Sequence, residues 1–149
     1  LTAPVNVSAQ MVNNTNFNSQ IIYLENGDYL ETKIQSEQTK LPLSEISLFT
    51  RSTKQITKTK TSTYKSASGK SMWSVSITGT FTYNGSSAKC VSCSHSSKTY
   101  TTNWTIKSIS SSKKDNSATA NVVAVHTVNG SNSIKRYVTI TCSKNGTIS

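Results

Sequence analysis

Acidic side chains are scarce in this sequence. Asp and Glu number 6 in 149 residues, against 16 Lys and Arg, for a formal net charge of +10. Three of the carboxylates, Glu25, Asp28 and Glu31, gather in one short stretch that reads as a hairpin tip. Carboxylate pairs that hydrolyse glycosides sit across a cleft from one another, so solvation of a turn is the simpler account of these three. Aromatic residues make up only 7% of the chain and Arg occurs twice. Without a basic run interleaved with stacking rings, specific nucleic-acid binding is not expected. Apolar runs are only a few residues long, too short for a membrane-crossing helix. With two His and three Cys there is no His-rich metal motif, and no phosphate loop or nucleotide fingerprint is present. No cofactor is therefore expected. The chain opens Leu-Thr-Ala-Pro-Val, without the basic and apolar regions of a secretion signal. We expect a mature chain from which such a signal has been removed.

The hydrophobic content, 34%, is below the roughly 45–50% of an average globular chain, a figure that includes Gly. Charged residues, at 15%, are below the usual value of about 25%. Ser, Thr and Asn fill the gap. Such a composition suggests disorder unless the few apolar residues are periodic, and here they are. Residues 73 to 83 read Trp-Ser-Val-Ser-Ile-Thr-Gly-Thr-Phe-Thr-Tyr, followed by Asn84-Gly85. Alternation at period two gives a strand with one buried and one wet face. Asn-Gly beside alternating hydrophobics is a strong hairpin signal, because both residues tolerate positive φ. Residues 21 to 30 look like a second hairpin turning at Asn26-Gly27. Further strands are expected near 53–64, 88–95, 102–110, 117–128 and 134–142, with turn chemistry at 66–69, 113–116 and 129–131. The spacing predicts an all-β antiparallel sandwich of the immunoglobulin-like type, with a small closed barrel as the alternative. Residues 1–50 read as a hairpin and a packed connector (Ser36 to Arg51) belonging to the same domain, and 51–149 as the sandwich core. The expected core is Trp73, Val75, Ile77, Phe81, Trp104, Ile106, Val122, Val138 and Ile140.

The basic residues are mostly Lys. Lys54, Lys58 and Lys60 are spaced by even numbers and share a strand face, and Lys65 and Lys70 flank the next turn. Alternating Lys and Thr is expected on an exposed edge strand, where Lys blocks edge-to-edge pairing. The same stripe could bind an anionic cell-wall polymer or membrane surface.

A two-residue turn at Asn84-Gly85 sets Gly79 opposite Cys90. Cys90 then faces inward, while Cys93 and His95 face solvent. Val138 and Ile140 place Cys142 inward as well. A Cys90–Cys142 disulfide would close a loop of about 50 residues, worth roughly 3–4 kcal/mol by chain entropy. Buried free thiols are the other reading. A zinc site from Cys90, Cys93, His95 and Cys142 needs a turn at Val91-Ser92, where there is no Gly or Pro. A Cys93–His95 nucleophile pair lacks a carboxylate nearby in sequence. His126 reads as an ordinary strand residue. Asn-x-Ser/Thr at Asn6, Asn13, Asn84, Asn103, Asn129 and Asn145 is no more than so Ser-, Thr- and Asn-rich a chain gives by chance.

Several segments together resemble a group of small secreted proteins of Gram-positive bacteria, uncharacterised in activity. They are Tyr23 to Thr32, Ser68 to Val75, Gly79 to Gly85, Cys90, Trp104 and Thr141 to Gly146. The resemblance implies a secreted or cell-surface location and the Cys90/Cys142 pairing, and it implies no chemistry; Cys93 departs from the pattern. The functional expectation is a non-catalytic β module that binds an extracellular protein or glycan. The alternatives are the polyanion binder and a secreted effector or enzyme.

Overall fold

The computed structural model describes residues 12–14, 17–36, 53–128 and 132–149. The connector expected from Ser36 to Arg51 lies outside them beyond Ser36, which ends a strand, and so does the turn expected at 129–131. Nine strands run in chain order: β1 (Val12–Asn14), β2 (Phe17–Tyr23), β3 (Tyr29–Ser36), β4 (Lys54–Lys65), β5 (Ser71–Tyr83), β6 (Ala88–Thr99), β7 (Trp104–Lys114), β8 (Ser117–His126) and β9 (Asn132–Thr141). The first six form one sheet in sequence order and the last three form a second. Every neighbouring pair is antiparallel. The two sheets pack as a sandwich, with β8 and β9 over β5, β9 over β4 and β8 over β6. Each sheet is a simple meander and the barrel does not close among the described strands. The strand exchange between sheets that defines an immunoglobulin sandwich is absent there, because each described strand pairs with its sequence neighbours.

The pattern of residues explains the layering. On β5, Trp73, Val75, Ile77 and Phe81 are fully buried, while Ser76, Thr78 and Thr80 lie on the other face. That outer face is bound to β4 by hydroxyl pairs: Thr57 with Thr80 (2.9 Å), Thr59 with Thr78 (2.7 Å) and Thr61 with Ser76 (2.7 Å). Cross-strand hydroxyl pairs stabilise a sheet modestly, by roughly 0.2–1 kcal/mol each, and they account for the Thr-rich text. On β8 the inward residues are Ala118, Ala120, Val122 and Ala124. Their small side chains accommodate the large ones of β5. Eight of the nine expected core residues are buried, and Ile106 is half-buried.

Two expectations need correction. β4 lies between β3 and β5 rather than at an edge. Lys58 is paired with Gly79 and Lys60 with Ile77, so the lysine face of β4 is its inner face. The alternation was legible, but a strand polar on both faces does not declare which side is covered. The turn after β5 spans four residues, 84–87, with the Asn84 side chain accepting from Ser86 N and Ser87 N (both 2.9 Å). Cys90 therefore stands opposite Phe81, and a β-bulge at Val91 sets Cys93 opposite Gly79 and His95 opposite Ile77. The extra residue reverses the alternation beyond it. Cys93, expected on the solvent face, thus lies on the same face as Cys90 and is half-buried; His95 shares that face along the strand's exposed part and is itself exposed, as expected.

Candidate functional site

In a meander, alternate turns fall at the same end. The turns after β2, β4 and β6 meet the end of β8 and the start of β9 at one end of the sandwich, and there the two sheets part around a cleft of about 240 Å³. It is lined by Asn26, Asp28, Tyr64, Met72, Asn103, Trp104, His126, Asn132 and Ile134. The residues come from both sheets, so the cleft exists only in the folded chain.

Its base is aromatic. Tyr64 stacks on Trp73 with ring centroids 5.4 Å apart and 13° between planes. Trp104 is tilted against Tyr64 at 5.0 Å and against Trp73 at 6.1 Å. His126 lies over Trp104 at 4.7 Å. The Trp73 Nε1 donor is buried and has no acceptor among the described residues.

One wall is a hydrogen-bonded turn. Asn26-Gly27 closes the hairpin, with Gly27 at a φ of 90°, a conformation glycine takes without penalty. Asp28 N donates to Asn26 Oδ1 (3.0 Å), and Asn26 Nδ2 donates back to Asp28 Oδ2 (3.0 Å). Tyr64 OH donates to the same Oδ2 (2.8 Å), and Ala67 N donates to Oδ1 (3.0 Å). Both oxygens of the Asp28 carboxylate are thus engaged. Burial, and then the hydrogen bond to Asp28, push the Tyr64 phenol above its ordinary range. Asp28 acts here as a structural acceptor that fixes Tyr64 and the neighbouring turn. The opposite wall carries Asn103, Asn132 and His126. No side-chain hydrogen bond ties these three to another of the described residues; Asn103 and Asn132 are exposed and His126 is half-buried.

The lysines expected to form a binding stripe are placed differently. Lys54 and Lys70 are exposed, while Lys58 is half-buried. Lys60 Nζ donates to Thr139 O of β9 (2.9 Å), bridging the sheets, and burial lowers its ammonium pKa. Lys65 pairs with Glu31 at 3.0 Å, and Lys33 approaches the same oxygen at 3.3 Å. Partial burial alone would raise the Glu31 pKa; the two lysines outweigh it and the carboxyl ends below its ordinary range. The stripe is therefore interrupted at Lys60 and Lys65.

Cys90 and Cys142 are both buried, as the alternation requires, but all three cysteines are free thiols, so the expected Cys90–Cys142 disulfide is not formed. Each buried thiol instead donates to a nearby backbone carbonyl: Cys90 Sγ to Ser92 O and Cys142 Sγ to Ser143 O, both at 3.3 Å. Their backbones are tied to the β7–β8 turn through Cys90 N to Asp115 O (2.7 Å) and Cys142 N to Asn116 O (3.0 Å). Burial raises both thiol pKa values; the neighbouring Cys93 adds to the shift of Cys90, and Cys90 adds to that of Cys142. No group of three His, Cys, Asp or Glu able to hold a metal occurs among the described residues. His95 Nδ1 lies 2.6 Å from Ser111 Oγ, at the surface.

None of the lining residues was singled out as a binding site in the sequence. Each is an ordinary turn or strand residue there, and only the parity of the hairpins brings them together. Protein-family models, curated proteins and solved structures yield no match to this chain.

Proposed function

We propose that this chain is a non-catalytic binding module, secreted or displayed at a cell surface, whose ligand enters the cleft between the two sheets. The observation that carries this reading is the convergence of Asn103, Asn132 and His126, whose side chains have no hydrogen-bond partner among the described residues, on one cleft with Trp104. Recognition sites combine an apolar floor with a few placed polar groups in this way. The lining favours binding over catalysis: among the described residues its one carboxylate, Asp28, is held by three donors, and no second carboxylate or nucleophile lines the cleft. The extracellular setting rests on the composition and on the resemblance to small secreted proteins.

The test is an NMR screen of ¹⁵N-labelled protein against mixed fragments: amino acids, short peptides, nucleosides, saccharides and lipid headgroups. The expected result is perturbation centred on the Trp104 indole and the backbones of Asn103 and His126. Ligands that perturb only residues remote from the cleft overturn the assignment of the site. Turnover of any bound polymer on prolonged incubation overturns the non-catalytic reading.

A further inference from the structure

Resting on that assignment of the site, we infer that the cleft takes one neutral sugar ring, the terminal residue of a glycan, inserted end-on. The volume sets the size. About 240 Å³ is below the roughly 300–1,000 Å³ of pockets for drug-sized ligands. The space suits a single six-membered ring with its substituents, and not an extended chain. The walls set the direction. They are built from the β2–β3 and β6–β7 turns (Asn26, Asp28, Asn103) and from strand ends of both sheets at the tip of the sandwich, so a ligand enters from beyond the tip rather than along a sheet face.

The chemistry of the lining sets the class. Each Asn amide carries both a donor and an acceptor, and so does a neutral imidazole. Asn103, Asn132 and His126 thus offer paired donors and acceptors on one wall, the complement of vicinal hydroxyls, each of which also donates and accepts. An anionic ligand would call for an uncommitted cation, and among the described residues neither Lys nor Arg lines the cleft. A cationic ligand would call for an uncommitted carboxylate, and Asp28 has both oxygens engaged. The apolar share comes from Met72, Ile134 and the small part of Trp104 left uncovered by its neighbouring rings, against which the C–H groups of a pyranose can lie while its hydroxyls meet the polar wall. Peptides and nucleosides fit less well, because a peptide chain or a base with its ribose exceeds the space of one ring.

The experiment titrates labelled protein with glucose, galactose, mannose and N-acetylglucosamine, with glucuronic acid as the charged control, and with oligosaccharides ending in each neutral sugar. One neutral monosaccharide should shift Asn103, Trp104 and His126 with a dissociation constant of about 1 mM, and the matching oligosaccharide should bind within about threefold of it. Asn103→Ala should weaken binding about tenfold at unchanged melting temperature, and His126→Ala about tenfold with a melting temperature lower by roughly 2–5 °C, because it removes the ring packed on Trp104. The backbone bonds of Asn103, from its N to Thr101 Oγ1 and from Thr127 N to its carbonyl, survive the substitution. An oligosaccharide at least tenfold tighter than its terminal sugar overturns the one-ring geometry. Tighter binding of glucuronic acid overturns the neutral class. If no saccharide shifts the cleft while another fragment does, the sugar inference fails and the cleft stands; saccharide shifts confined to residues outside the cleft overturn both.

Discussion

Replacing Tyr64 by Phe removes one oxygen and leaves the ring stack on Trp73 and Trp104 in place. The lost hydroxyl donates at 2.8 Å to Asp28 Oδ2, and hydrogen bonds to charged groups contribute about 1.5–3 kcal/mol. Tyr64 is 2% exposed but Asp28 is half-exposed, so water and Asn26 partly replace the missing donor, and the lower end, about 1.5 kcal/mol, is expected. With an m-value of about 2 kcal/mol per molar urea, the midpoint falls by roughly 0.7 M. At about 2–4 °C per kcal/mol for a chain of this size, the melting temperature falls by roughly 3–6 °C. Asp28→Asn and the double variant complete a thermodynamic cycle, in which the coupling should reach about 1 kcal/mol. The pH dependence gives a second readout. Because the folded phenol pKa is raised above its ordinary value near 10, the folded state holds a proton that the unfolded state has released. Tyr64 therefore contributes stability that is whole below pH 10 and lost as pH rises through the raised value. The wild type should lose that increment and Tyr64→Phe should not, so the gap between them narrows at alkaline pH. A coupling under about 0.3 kcal/mol, or a gap independent of pH, would refute the reasoning.

Other outcomes follow from the same contacts. A Cβ on Gly79 would lie 2.6 Å from the Phe81 ring and 3.3 Å from Ile140, so Gly79→Ala should destabilise by about 1–3 kcal/mol in urea titration, and an unchanged midpoint would show that the ring moves freely. Glu31, whose pKa is lowered on balance by Lys65 and Lys33, contributes stability present above its ordinary value of 4.5 and lost as pH falls through the lowered one; Glu31→Gln should flatten that acid limb, read from urea midpoints between pH 5 and 3. Half-buried Cys93 should be alkylated first by a small thiol reagent, whereas Cys90 and Cys142, buried and with raised pKa values, should react only at the rate of opening; mass mapping showing Cys142 labelled as fast as Cys93 would contradict the burial.

The fold was legible where burial is one-sided. Trp73 to Phe81 alternates cleanly because the second sheet covers one face, and a one-residue slip would expose every large side chain. It was illegible where both faces are polar. From Ser92 to Thr99 the strand carries Ser, His, Lys, Thr and one Cys, so nothing in the text marks the bulge at Val91 that sets their facing. The lysines of β4 looked like edge protection because Thr and Lys are both tolerated in water; the carbonyl that receives Lys60 belongs to Thr139, 79 positions away. The cleft was hidden for a different reason. Asn26, Asn103 and Asn132 each have a sufficient local explanation as turn or strand-end residues. A signal was nonetheless present: in a meander the turns near 26, 67 and 102 share one end, and two of them border the aromatic residues Tyr64 and Trp104.

The two ends of this sandwich are not mechanically equivalent. At the β7–β8 turn, consecutive carbonyls of Asp115 and Asn116 grip Cys90 of one sheet and Cys142 of the other, and the Asn116 amide donates to Cys142 O (2.7 Å). That end is one clasp. The other end, where the cleft opens, carries a second: the chain crosses there from β6 to β7, and Trp104 of one sheet packs on Tyr64 and Trp73 of the other. A pocket beside a fixed crossing keeps its width when the far clasp is loosened. Substitutions at Asn116, at the opposite end from Trp104, should therefore destabilise the sandwich without altering selectivity for ligand size in the cleft.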